Sequence, residues 1–202
     1  MDDTTTLAAN QLGRMRGMTL EYHRRFFGDI RMVLVLTVVL FVLGFWEVPA
    51  AFLLIPFVAL YGAVQTAFDA SYLIFARHYA ARLEQLLNTR TGEKVHVAAE
   101  MEDVYLFPLD VTKVVTAAFG SRFSWFGFVT LFYTTLGVVG AAFGLALGWV
   151  AYLDDQGTGW QFAYLLTFAA LTTVTLITGV WWFVGGEGER RLRTVLEGFA
   201  SD

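Results

Sequence analysis

The chain has 202 residues, 56% of them hydrophobic and 16% charged, with a mean hydropathy of +0.56 and a formal net charge of −4. A soluble domain is about one-quarter charged, so this composition points to an integral membrane protein. There is no basic excess to suggest nucleic acid as a partner, and the absence of cysteine removes disulfides, thiol catalysis and Cys-ligated metal together.

Residues 1–6 read as a frayed terminus. From Leu7 to Phe27 the positions of Leu12, Met15, Tyr22 and Phe26 can share one helix face, with Arg14, Arg16, Arg24 and Arg25 largely off it. Two readings stay open: a helix lying on the membrane surface, or one packed on its own protein. The first apolar run begins at Met32, after about thirty mostly polar residues, which is too long for the n-region of a secretory signal. It is therefore read as a retained span.

Four apolar runs follow: Met32–Trp46 (extendable to Val48), Ala50–Ala76, Trp125–Tyr152 and Trp160–Val184. Each approaches or exceeds the ~20 residues that a spanning helix needs, and none alternates as a barrel strand does. The fold class expected is all-α, a polytopic membrane protein with four transmembrane helices. All 14 Lys and Arg residues lie in the N-terminal segment, the 77–122 connection or the C-terminal tail, and the connections 46–50 and 154–159 contain none. The positive-inside rule then puts both termini in the cytoplasm of a multi-pass cell-membrane protein. Trp46, Trp149, Tyr152 and Trp160 fall at the outer edge, and Trp125, Trp181 and Trp182 at the inner one. The organisation expected is an N-terminal helix (1–29), a transmembrane hairpin (30–76), a cytoplasmic insert (77–122), a second hairpin (123–184) and a tail (185–202).

The second span runs on without a break into RHYAARLEQLLN, so one helix of about 40 residues, ~60 Å long, should cross the bilayer and extend into the cytoplasm. Its soluble part repeats Ala76, Tyr79, Leu83 and Leu86 at helical spacing. The segment 94–110 is ambiguous and suggests a short strand or hairpin. Asp110 is placed to cap a short helix that leads into the third span.

Asp69 is the one carboxylate embedded in the second span. With Tyr61, Gln65 and Tyr72 it forms a polar stripe along one side of that helix, a candidate ion or proton path. The structural alternative puts it near the inner interface, paired with an arginine such as Arg31 or Arg77. Glu47, Asp154 and Asp155 make the outer connections wholly acidic, which would favour cations at the mouth of an axial assembly. Gly140, Gly144 and Gly148, four apart in the third span, offer a groove for close helix packing within or between subunits. Thr172, Thr175 and Gly179 give the fourth span a face of small residues.

His96, Glu100, Glu102 and Asp103 do not make a zinc-like ligand set and read as a solvated acidic surface, so no metal and no cofactor are expected. No nucleophile elbow, phosphate loop or zinc-protease motif is present. Arg190, Arg191 and Arg193 in the tail suit anionic lipid at the cytoplasmic face. The function expected is a non-enzymatic, homo-oligomeric channel or pore for small ions, with cations favoured and the second helix lining the path. The alternative is a non-catalytic accessory or scaffold subunit of a larger membrane complex.

Overall fold

The structure is a computed structural model that describes residues 3–106, 108, 118–120 and 122–198. Among these, every regular element is helical: α1 (Asp3–Trp46), α2 (Ile55–Thr91), α3 (Ala98–Tyr105), α4 (Trp125–Ala151), α5 (Thr158–Gly179) and α6 (Glu187–Gly198). Short 3-10 turns occupy Pro49–Leu54 and Leu153–Asp155, and a π turn occupies Val180–Val184. Four of the helices are long and apolar enough to cross a membrane. The strand or hairpin expected around residues 94–110 is replaced by α3. Asp110 and residues 111–117 of the helix it was expected to cap lie outside the described residues, while Ala118 and Phe119 are helical.

α1 is a single helix of 44 residues rather than a surface helix followed by a separate span. No proline interrupts it, so nothing stops the hydrogen-bond ladder at the polar-to-apolar transition. It ends where Pro49, which lacks an N–H, forces the preceding Val48 out of helical geometry (φ −125°, ψ 75°). The α-helical part of the second span correspondingly begins at Ile55, after the 3-10 turn.

The chain divides into two compact units. One comprises residues 1–25, 68–131 and 181–202. In it Ala8, Leu12 and Met15 of α1 pack on Ala80, Leu83 and Leu87 of α2, with Met18 and Tyr79 at the edge. The 4–3 spacing on both helices is that of a narrow helix–helix seam. Leu87 is buried and Leu86 exposed, so the sticky face of α2 is rotated by one residue from the face expected. The rotation turns Arg77 and Glu84, seven residues apart, inward along with it. Of the two readings left open for residues 7–27, the structure has the helix packed on its own protein.

The other unit comprises residues 26–67 and 132–180. Its core is Leu40, Ala51, Phe52 and Ile55, with Phe41, Val58 and Leu147 packed against them. A Cβ on Gly44 would stand 2.6 Å from the Phe52 ring, so only glycine lets that ring lie across the end of α1. The Tyr164 hydroxyl donates to the carbonyl of Leu53 (2.9 Å), satisfying an acceptor in the 3-10 turn. In α5 only one stripe is half-buried, running through Gln161, Tyr164, Phe168, Thr172, Thr175 and Gly179. The rest of its surface is exposed and mostly apolar.

Candidate functional site

The stripe of α2 does not present one continuous open surface. Tyr61 is 54% exposed and Gln65 is half-buried, whereas Asp69 is 1% exposed. Beside Asp69, Tyr72 stacks on Tyr22 of α1 with centroids 4.7 Å apart and planes 8° from parallel, and Phe68 meets it edge-on at 4.9 Å. α1 therefore covers this part of α2. Asp69 acts electrostatically on Arg25. A bond to Glu21 (2.9 Å) holds the Arg25 guanidinium above its ordinary pKa, and Asp69 adds a smaller contribution of the same sign. Arg31 donates instead to the carbonyl of Phe27 (3.1 Å). Glu47, Asp154 and Asp155 are all exposed.

The glycine groove is filled from within its own unit. A Cβ on Gly144 would lie 2.7 Å from Ile55 Cβ and 3.0 Å from the Phe52 carbonyl oxygen, and one on Gly148 would lie 2.6 Å from Leu53 Cδ2. On Gly140 it would only touch Thr37, at 3.8 Å. The 3-10 turn and the start of α2 thus approach α4 backbone to backbone over Gly144 and Gly148.

A polar cluster joins residues that the sequence pattern did not bring together. Arg16 of α1 bonds Glu84 of α2 through Nη2 and Glu102 of α3 through Nη1, the latter at 2.8 Å. Arg77 Nε donates to the second oxygen of Glu102 (3.1 Å), and its side chain is almost wholly buried. The second oxygen of Glu84 accepts the backbone N–H of Ala99 (2.8 Å) and so satisfies one of the orphan donors at the start of α3. Two arginines and two carboxylates thereby brace three helices, each carboxylate using both of its oxygens. Nearby, Asn88 accepts the N–H groups of Val95 (3.1 Å) and His96 (2.8 Å) and donates to the carbonyl of His96 (2.7 Å). These bonds fix the turn that delivers α3.

Glu102 is thus one leg of an ion-pair brace rather than part of a solvated surface, while Glu100 pairs with Lys94 at 2.6 Å. Among the described residues no three His, Asp or Glu side chains converge as a metal site. The signal that could have exposed the brace was Arg77 and Glu84 at heptad spacing beside Ala76, Ala80 and Leu83. Opposite charges on an apolar face need a partner.

In the tail, Glu187 bonds both Arg190 and Arg191 (the latter at 2.7 Å), and Arg193 bonds Glu189. The Arg191 guanidinium lies 5.6 and 5.7 Å from the ring centres of Trp181 and Trp182. Trp182 Nε1 donates to the hydroxyl of Ser71 (3.1 Å), and Gly188 gives the same ring room. Gly186, at φ +70°, makes the left-handed turn between the π turn and α6. Three acidic and three basic residues leave α6 without net charge.

No protein-family profile, curated protein or solved structure matches this chain.

Proposed function

We propose that the chain is a non-catalytic accessory or scaffold subunit of a larger cell-membrane complex, with four spans and both termini in the cytoplasm. The brace of Arg16, Arg77, Glu84 and Glu102 carries this reading. Its charged groups are committed to one another and to the N-terminus of α3, an arrangement that fixes helices in place. Every Lys and Arg except Arg31 belongs to the segments of the braced unit, which supports a cytoplasmic location for it. Membrane partners would meet the apolar surfaces of α4 and α5. The test is native mass spectrometry of the protein extracted from its own membranes in mild detergent. A heteromer of fixed stoichiometry is expected, and a monomer overturns the reading.

A homo-oligomeric cation channel is the second reading, favoured by the exposed Tyr61 and the wholly acidic outer connections. The burial of Asp69 weighs against an axial lining. The filling of the glycine groove from within the chain removes that face as a reason for self-assembly. A closed homo-oligomer of four or more subunits would reverse the preference. In that case Asp69→Asn should alter cation flux in liposomes while assembly persists, and unaltered flux would end the channel reading.

A further inference from the structure

The helix α3 is amphipathic in the reverse sense to a helix on a soluble core. Its inward side carries Ala99, Glu102 and Asp103, with Glu102 in the brace. Its outward side carries Met101, Val104 and Tyr105, which are 66%, 78% and 74% exposed. These three fall within one arc of about 100° on the helical wheel, with Glu100 at its margin. The brace holds them outward, because turning α3 over would strip Arg77 and Arg16 of a carboxylate.

The end of α3 is also tied to the start of an apolar helix. Ser124 is fully buried and caps α4 by accepting the N–H of Gly127 (3.1 Å). Its hydroxyl donates to the carbonyl of Leu106 (2.9 Å), the residue that follows α3, and the N–H of Phe126 reaches the same oxygen at 3.5 Å. Leu106 is thereby fixed at the level where α4 begins. At that level Trp125 meets Phe123 and Phe128 edge-on at 5.3 and 6.1 Å, and both Phe123 and Trp125 are exposed. Exposed aromatic residues at the end of a spanning helix are the mark of the headgroup region.

We infer that α3 is an interfacial helix whose Met101, Val104 and Tyr105 face is immersed in the headgroup–acyl boundary of the bilayer, anchored there by the Ser124–Leu106 tie. This rests on the reading of α4 as a membrane span. The occupant of the exposed face is phospholipid, because Leu106, the residue after that face, is tied to Ser124 at the aromatic-flanked start of α4. The polar side of α3 is meanwhile saturated by the protein's own arginines. The brace then has a consequence for the bilayer contact: it sets which side of α3 the lipid meets.

The chain has no cysteine, so single-cysteine labelling is clean. Val104→Cys and Tyr105→Cys would carry an environment-sensitive fluorophore in vesicles of phosphatidylethanolamine and phosphatidylglycerol. Val138→Cys on α4 and Gln85→Cys on α2 serve as the membrane and water references. Labels at 104 and 105 should be quenched by spin-labelled lipid as strongly as the label at 138 and be protected from aqueous iodide. If they behave like the label at 85 while 138 is in lipid, the interfacial helix is refuted and the membrane span stands. If 104 and 105 are shielded from both quenchers, a protein surface covers the face and the inference fails. If 138 is itself quenched by iodide, the span reading fails and the inference falls with it.

Discussion

Gly144→Ala places one methyl group where the second unit has no room for it. The new Cβ would lie 2.7 Å from Ile55 Cβ, 3.0 Å from Ile55 Cγ2 and 3.0 Å from the Phe52 carbonyl oxygen, against ordinary carbon contacts of about 3.5–4.0 Å. Ile55 Cβ and the Phe52 carbonyl oxygen are fixed by the backbone and cannot swing aside; only Cγ2 could turn away. Overpacking of this kind costs about 1–3 kcal/mol. Replacing a mid-helix glycine with alanine offsets about 0.5–1 kcal/mol of it. The net loss should be up to about 2.5 kcal/mol, and at about 2–4 °C per kcal/mol for a chain of this size the melting midpoint should fall by up to about 10 °C. Gly137→Ala is the control: it lies in the same helix and unit, and its Cβ meets nothing within 4 Å. It should melt at or slightly above the wild-type temperature. Gly140→Ala should also be tolerated, since its contact is an ordinary 3.8 Å. Thermal unfolding in mild detergent, followed by the fluorescence of the six tryptophans, measures all three. If Gly144→Ala melts no lower than Gly137→Ala, α4 is not seated on Ile55 and the reasoning is wrong.

The brace gives a second expectation. Glu102→Gln should destabilise the first unit by about 1–3 kcal/mol, because it removes the carboxylate bonded to the buried Arg77. A denaturation midpoint equal to wild type would show that the pair contributes nothing. Glu84→Gln, which keeps an oxygen for the Ala99 N–H, should cost less than Glu84→Leu; the reverse order would remove the capping role. The brace also predicts a weak salt dependence, since buried pairs are poorly screened. A steep loss of stability with added salt would contradict it. Acid should weaken the unit through His78, which follows the second apolar run. Burial holds its imidazole below the ordinary 6.5, helped by Arg77 and Arg193 and opposed by Glu189 and Asp103. The unfolded chain therefore takes up a proton that the folded one resists. The stability of the neutral form is full above about pH 6.5 and declines as pH falls toward the folded-state value, by at most about 1.36 kcal/mol per pH unit. His78→Gln should flatten that slope, and an unchanged slope would exclude His78 as its source.

Long-range periodicity was enough to reveal the helical class and the four apolar helices, because each is set by residues close together in the chain. A run of about 20 apolar residues satisfies its own backbone as a helix whatever surrounds it. The glycines at 140, 144 and 148 likewise announced a close approach. What approaches, Ile55 and the 3-10 turn before it, was not legible, since glycine spacing describes a groove and not its occupant. Asp69 was conspicuous as a carboxylate in an apolar run. The Tyr22 ring that stacks on Tyr72 beside it comes from a helix more than forty residues earlier.

The brace marks the boundary between the two kinds of information. Sequence supplied Arg16, Arg77, Glu84 and Glu102 as four ordinary charges on three segments, each consistent with a solvated surface. Only the tertiary structure brought them together, because a charge becomes buried through the packing of its neighbours and then binds whichever opposite charge shares that space. The same packing decided the orientation of α3: its segment was ambiguous in sequence, and the arginines that bind Glu102 set which of its sides faces outward.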